Sequence, residues 1–115
     1  MELDTMQNLS GLPGTQCHIV PLPQMCPVSG NPQAGSYIAV RYVDSGLFLE
    51  VYAIERYLLH YVGGWMRDGL HIRDMEQTID TIAKDCARAV KVPVTVRARL
   101  ILDCGQMIRT VKAQP

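Results

Sequence analysis

With 115 residues, 48% of them apolar, the chain is sized for one domain whose packed core needs no disulfide or metal staple. Eleven basic and eleven acidic side chains cancel and no block of like charge occurs, which excludes nucleic acid held by bulk electrostatics and leaves only a local contact. No apolar run approaches the ~20 residues that cross a bilayer, and the N-terminus lacks a basic start followed by an apolar signal core; a cytoplasmic protein with no membrane partner is expected.

Residues 1–35 hold Pro13, Pro21, Pro23, Pro27 and Pro32 together with Gly11, Gly14 and Gly30. So many breakers read as an extended N-terminal arm that carries a cysteine loop, ahead of a folded unit over residues 36–115 in a single domain. From Ser36 the composition turns β-branched and aromatic through Val43, and Asp44-Ser45-Gly46 then offers a turn before Leu47–Tyr52. That pair predicts a β-hairpin. Ile54, Leu58 and Tyr61 at i, i+4 and i+7 predict a short helix over 53–61, stopped by Gly63-Gly64.

A second helix has a capping-box start at Asp74 and Gln77, and Met75, Ile79, Ile82, Ala83, Cys86 and Val90 form its apolar stripe. Beyond Pro93 the period changes to two. Val94, Val96, Ala98, Leu100 and Leu102 predict the buried face of a strand, Asp103-Cys104-Gly105 a turn, and Gln106–Lys112 the returning strand. Hairpin, two helices and hairpin make an α+β arrangement: a four-stranded antiparallel sheet with two helices on one face. Its outer strands expose edges, and self-association through them into a ring would remove that hazard.

Four side-chain groups draw attention. Cys26 opens the uncharged turn Cys-Pro-Val-Ser-Gly-Asn-Pro, where the amides of Val28, Ser29 and Gly30 can turn toward the sulfur and favour a thiolate. Equally, a small thiol in a loop can be plain packing, and composition alone favours that. His71 precedes the second helix, where it can serve as acid, base or ligand or simply sit at the surface. Glu50 ends the apolar run Leu-Phe-Leu-Glu, either as a carboxylate facing the N–H edge of a guanine-like ring or as a solvated end. Trp65 and Tyr61 could stack on a base, though core filling suits them better. Cys17, Cys26, Cys86 and Cys104 form neither a CxxC pair nor a set with helically spaced histidines, so reduced thiols and no metal are expected.

The string Cys26-Pro27-Val28-Ser29-Gly30-Asn31-Pro32, followed by hairpin, helices and hairpin through Lys112, resembles the QueF family. That family comprises the nitrile reductases of queuosine biosynthesis and their shorter archaeal QueF-like relatives. The resemblance implies the tunnelling fold (T-fold), order β-β-α-α-β-β, in which subunits join edge to edge as β-barrel rings. It further implies a homo-oligomer, a ring of about five subunits or a double ring of them, with purine- or pterin-like bases bound between subunits. The cysteine matching Cys26 would add to the nitrile carbon of 7-cyano-7-deazaguanine as a thioimide. NADPH then delivers hydride in the reductases, whereas the archaeal relatives use ammonia on a base already in tRNA and form the amidine of archaeosine.

Residue by residue, the match has gaps. The reductases carry a segment of the type ESKSLKLY for NADPH; here Glu50-Val51-Tyr52-Ala53-Ile54-Glu55-Arg56-Tyr57 keeps Glu50 and Tyr57 but neither lysine. Two lost cations disfavour a polyanionic cofactor, so none is expected, and amidination with ammonia or an amine donor is favoured over reduction. Reduction would need phosphate contacts from Arg56, Arg67 or Arg73. The family aspartate seven residues after the cysteine is Gln33, an amide that hydrogen-bonds the nitrile but cannot protonate it, and His71 is the nearest candidate to supply the proton instead. His71 matches a family histidine, yet the base-reading glutamate after it is Ile72; Glu76, one helical turn on, is the substitute expected to bind the base with Glu50. These gaps also admit a non-catalytic tunnelling-fold module that binds a purine or pterin. Whether the base is free or part of a nucleic acid stays open in the sequence.

Overall fold

The computed structural model describes residues 3–115; the first two residues of the expected arm lie outside the described residues. It is an α+β structure with antiparallel sheets and two helices. The main sheet has the order β2 (Thr15–Pro21), β3 (Tyr37–Val43), β7 (Val94–Leu102), β8 (Gly105–Ala113), every neighbouring pair antiparallel. Between its halves run α1 (Val51–Leu59) and α2 (Met75–Val90). Two short ladders complete the chain: β1 (Thr5–Gln7) with β4 (Leu47–Leu49), and β5 (Trp65–Arg67) with β6 (Leu70–Ile72).

Alternation fixes which sheet face is covered. Ile38, Val40, Val94, Val96, Ala98 and Leu100 are all fully buried, in one cluster with Ile54, Tyr57 and Leu58 of α1 and Ile79, Ile82 and Cys86 of α2. The opposite face, including Ile19, Arg41 and Arg97, is bare. Asp74 caps α2 as its sequence predicts, accepting the Gln77 N–H at 2.7 Å, and the turn between β7 and β8 falls at Asp103 and Cys104.

The expected hairpin of 36–43 with 47–52 does not form. β3 pairs instead with β2, Thr15 opposite Val43 through Pro21 opposite Tyr37, so part of the expected arm is an edge strand of the main sheet. The cause lies at Asp44, whose carboxylate accepts from Gly14 N–H at 3.0 Å and Asn8 Nδ2 at 3.0 Å and so binds the arm to the end of β3. Past Gly46 the chain turns away: the Tyr42 hydroxyl accepts Leu49 N–H at 2.8 Å, and β4 pairs with β1. From Val51 onward it is helix, two residues earlier than the apolar spacing predicts.

Candidate functional site

The Cys26 loop is sewn down on three sides. Leu22 and Met25 are buried, and Met25 O accepts Gly63 N–H at 2.7 Å just beyond α1. Asn31 O accepts from both Met25 N and Cys26 N at 2.9 Å, and Gly30 N–H closes the turn on Cys26 O at 2.8 Å. Gly30 holds φ +73°, which a side chain would resist. Toward the sheet, Gln33 N–H donates to Ile101 O and Ile101 N–H to the Ser36 hydroxyl at 2.8 Å. Asn31 grips the turn after β7, donating Nδ2 to Asp103 Oδ1 at 3.0 Å and accepting Asp103 N–H at 2.9 Å.

Within that frame the sulfur of Cys26 is partly exposed and faces donors. Ser29 N–H reaches it at 3.5 Å. The Ser29 hydroxyl, then the amides of Ser29 and Val28, hold the thiol below its ordinary ionisation range; burial and the negative charge of Asp103 oppose them. These are two of the three amides that the Cys-Pro-Val-Ser-Gly spacing predicts. Cys86, by contrast, is fully buried in the α2 stripe and pushed up to about 12 by burial. Cys17 and Cys104 are exposed at the surface, and all four thiols are unpaired by disulfides.

The other expected site residues are placed unequally. Gln33 lies in the same loop, but both hydrogens of its amide are engaged, by Ser29 O at 3.0 Å and Asn31 Oδ1 at 3.1 Å, so it braces the turn. His71 is exposed on β6, opposite Met66 of β5, and its ring lies so close over Gly64 that a Cβ there would collide with it. Gly63 touches Met25, so His71 stands on the same side of the molecule as Cys26, though no hydrogen bond joins the two. Glu76 is exposed in the first turn of α2, beside Arg109, which is gripped by Asp80 at 2.8 Å through two nitrogens. Glu50 is elsewhere: it caps α1, accepting Tyr52 N–H at 2.9 Å and Ala53 N–H at 2.8 Å. Nine helical residues, roughly 13 Å, separate that cap from the end of α1 that meets the Cys26 loop.

Asp103 is the residue the sequence does not flag. Its only signal was the turn Asp-Cys-Gly, yet the fold brings its carboxylate into electrostatic reach of Cys26. A second unflagged group supports His71. Asp85, 1% exposed in α2, takes Arg67 Nη1 and the Tyr57 hydroxyl, each at 2.5 Å, and Tyr57 contacts the Tyr61 hydroxyl. Burial pushes the Tyr57 and Tyr61 phenols far up, so they remain donors. Arg67 also lies over Trp65, whose ring stacks on His60 at 4.7 Å, so the β5–β6 hairpin is clamped to both helices. An acid between Ile82 and Cys86 in an apolar stripe was the available clue.

No family model matches the chain, and no curated protein matches it. Among the described residues no group of three His, Cys, Asp or Glu side chains is placed to hold a metal ion, and no helix is long and apolar enough to cross a membrane.

Proposed function

We propose that the chain is a QueF-like tunnelling-fold enzyme that acts on a 7-cyano-7-deazaguanine nitrile through Cys26, by amidination rather than reduction. The observation that carries this reading is the thiol itself: partly exposed, at the head of a pinned turn, with the Ser29 hydroxyl and two amides lowering its ionisation. The thiolate adds to the nitrile carbon, and the thiol's proton passes to the nitrile nitrogen. Ammonia or an amine then attacks the thioimide carbon, the C–S bond breaks, and the amidine leaves with Cys26 restored as a thiol. Gln33 cannot donate that proton; Asp103 is the carboxylate that relays it. On this reading His71 and Glu76 meet the base, and Glu50, at the far end of α1, joins them only across subunits.

Several observations support the remaining parts. β2 and β8 each leave one edge unpaired in the main sheet, β8 over nine residues, and each edge is flanked by a groove of about 400 Å³, against α1 and α2 respectively. Copies joined edge to edge in a ring would cover both. Against reduction, Arg56 leans on Glu50 at 3.6 Å and Arg67 on Asp85, so two of the three arginines available to a dinucleotide phosphate are turned to carboxylates. A second reading, a binding module without catalysis, is favoured by the engaged Gln33 amide alone.

Incubation with the nitrile base and an ammonium salt, followed by chromatography and mass analysis, tests the reaction class. The expected product is the amidine, absent with Cys26→Ala. Oxidation of NADPH would restore the reductase, and a rise in melting temperature without product would favour the binding module.

A further inference from the structure

The four strands of the main sheet contain no aspartate or glutamate, although the whole chain has eleven. They contain five cations. Arg109 faces α2 and is spent on Asp80, but Arg41, Arg97, Arg99 and Lys112 point to the helix-free face. Register gathers them. Arg41 and Lys112 flank Thr95 in one row, Arg97 lies in the next row and Arg99 in the row beyond. With strands ~4.8 Å apart and alternate residues ~6.8 Å apart, Arg97 stands roughly 7–8 Å from each of the other three. Among the described residues Arg41, Arg97 and Lys112 have no carboxylate in ion-pair range, and Arg99 is oriented by Gln106 Oε1 at 3.1 Å. Tyr37, directly opposite Arg99, adds a partly exposed ring.

We propose that the helix-free face of this sheet is a docking surface for single-stranded nucleic acid, held through its phosphodiester backbone, DNA or RNA alike. A neutral chain that collects four cations and no anion on one open face has made a local polyanion site, and phosphates repeat along a strand at a comparable interval. Duplex is the poorer fit. Four strands span about 14 Å, more than the ~12 Å major groove, whereas an unpaired strand can lie over the sheet and stack a base on Tyr37 beside Arg99. In a ring of copies joined edge to edge with the helices outside, this face would line the bore and the four cations would repeat around it. The inference rests on the sheet face and not on Cys26, so either can fail alone; if both hold, the reacting base is part of a polymer.

Fluorescence anisotropy of the full chain with labelled single strands of about twenty nucleotides, DNA and RNA, tests it. Binding is expected at about 50 mM salt, with a log–log salt slope near −2 to −3 for three or four phosphate contacts. Arg97→Glu should weaken it at least tenfold, and Lys84→Glu, the same charge change on the exposed side of α2, less than twofold. Arg97→Ala, expected to weaken binding severalfold, serves if the reversal fails to fold by circular dichroism. No binding by the parent chain, equal effects of Arg97→Glu and Lys84→Glu, or tighter binding of blunt duplex or of anionic phospholipid vesicles would overturn the proposal.

Discussion

Replacing Arg67 by methionine keeps most of the side-chain stem but removes the charge that faces Asp85. That carboxylate is 1% exposed and receives Arg67 Nη1 at 2.5 Å and Nη2 at 3.2 Å. Removing one partner of a buried pair costs about 3–5 kcal/mol, because the remaining charge is stranded. Here Arg67 is itself about one-fifth exposed, and Arg88 stands 4.0 Å from Asp85, so the lower end, about 3 kcal/mol, is expected. At about 2.1 cal/mol/K per residue, a 115-residue domain loses roughly 12 °C of Tm for that change. Urea unfolding followed by far-UV circular dichroism measures it without relying on Trp65, which Arg67 covers. The double variant Arg67→Met/Asp85→Asn should recover much of the loss, since no charge is then stranded. A single-variant loss below about 1 kcal/mol, or no recovery in the double, would refute the view that this pair clamps the His71 hairpin to α2.

Three further outcomes follow from the same geometry. Ser29→Ala should shift the alkylation profile of Cys26 with iodoacetamide to higher pH, since the largest contribution to its lowered ionisation is lost; an unchanged profile would mean that the serine hydroxyl does not reach the sulfur. Asp103→Asn should split two rates: alkylation at neutral pH rises, because a repelling charge is gone, while thioimide formation falls by ~10²–10⁴ if Asp103 relays the proton. Equal changes in both rates would leave it no catalytic part. His18, buried against the Tyr42 hydroxyl at 2.9 Å, has its ionisation lowered by burial, so the unfolded chain binds the proton more readily. The His18 contribution to stability, read by urea titration as the difference between the parent chain and His18→Gln, should therefore be constant above pH ~6.5 and fall as the pH drops below it.

The readable parts of the fold were those specified locally. Asp74 and Gln77 mark the start of α2, the period-two run from Val94 marks β7, and Asp103-Cys104 joins it to β8, each within a few residues of sequence. The pairing of β3 was not local. Asp44-Ser45-Gly46 carries a hairpin signal, but the choice of β2 over β4 is made by Asp44 bonding Gly14, thirty residues away, and by Tyr42 bonding Leu49. The Asp68-Gly69 hairpin, with both residues at positive φ, had a legible turn but strands of only three residues. At the site, the amides around Cys26 could be read because they follow it directly. The roles of Asp103, seventy-two residues from Asn31, and of Glu50 as the cap of α1 depend on where the elements pack.

The most direct test of the central claim is the intact mass of the protein after mixing with 7-cyano-7-deazaguanine alone, without ammonia. The account predicts a mass increase equal to one whole nitrile per chain, because addition across the C≡N bond expels nothing, located on Cys26 and absent from Cys26→Ala. An unmodified mass at saturating nitrile, or an adduct that persists in Cys26→Ala, would contradict it.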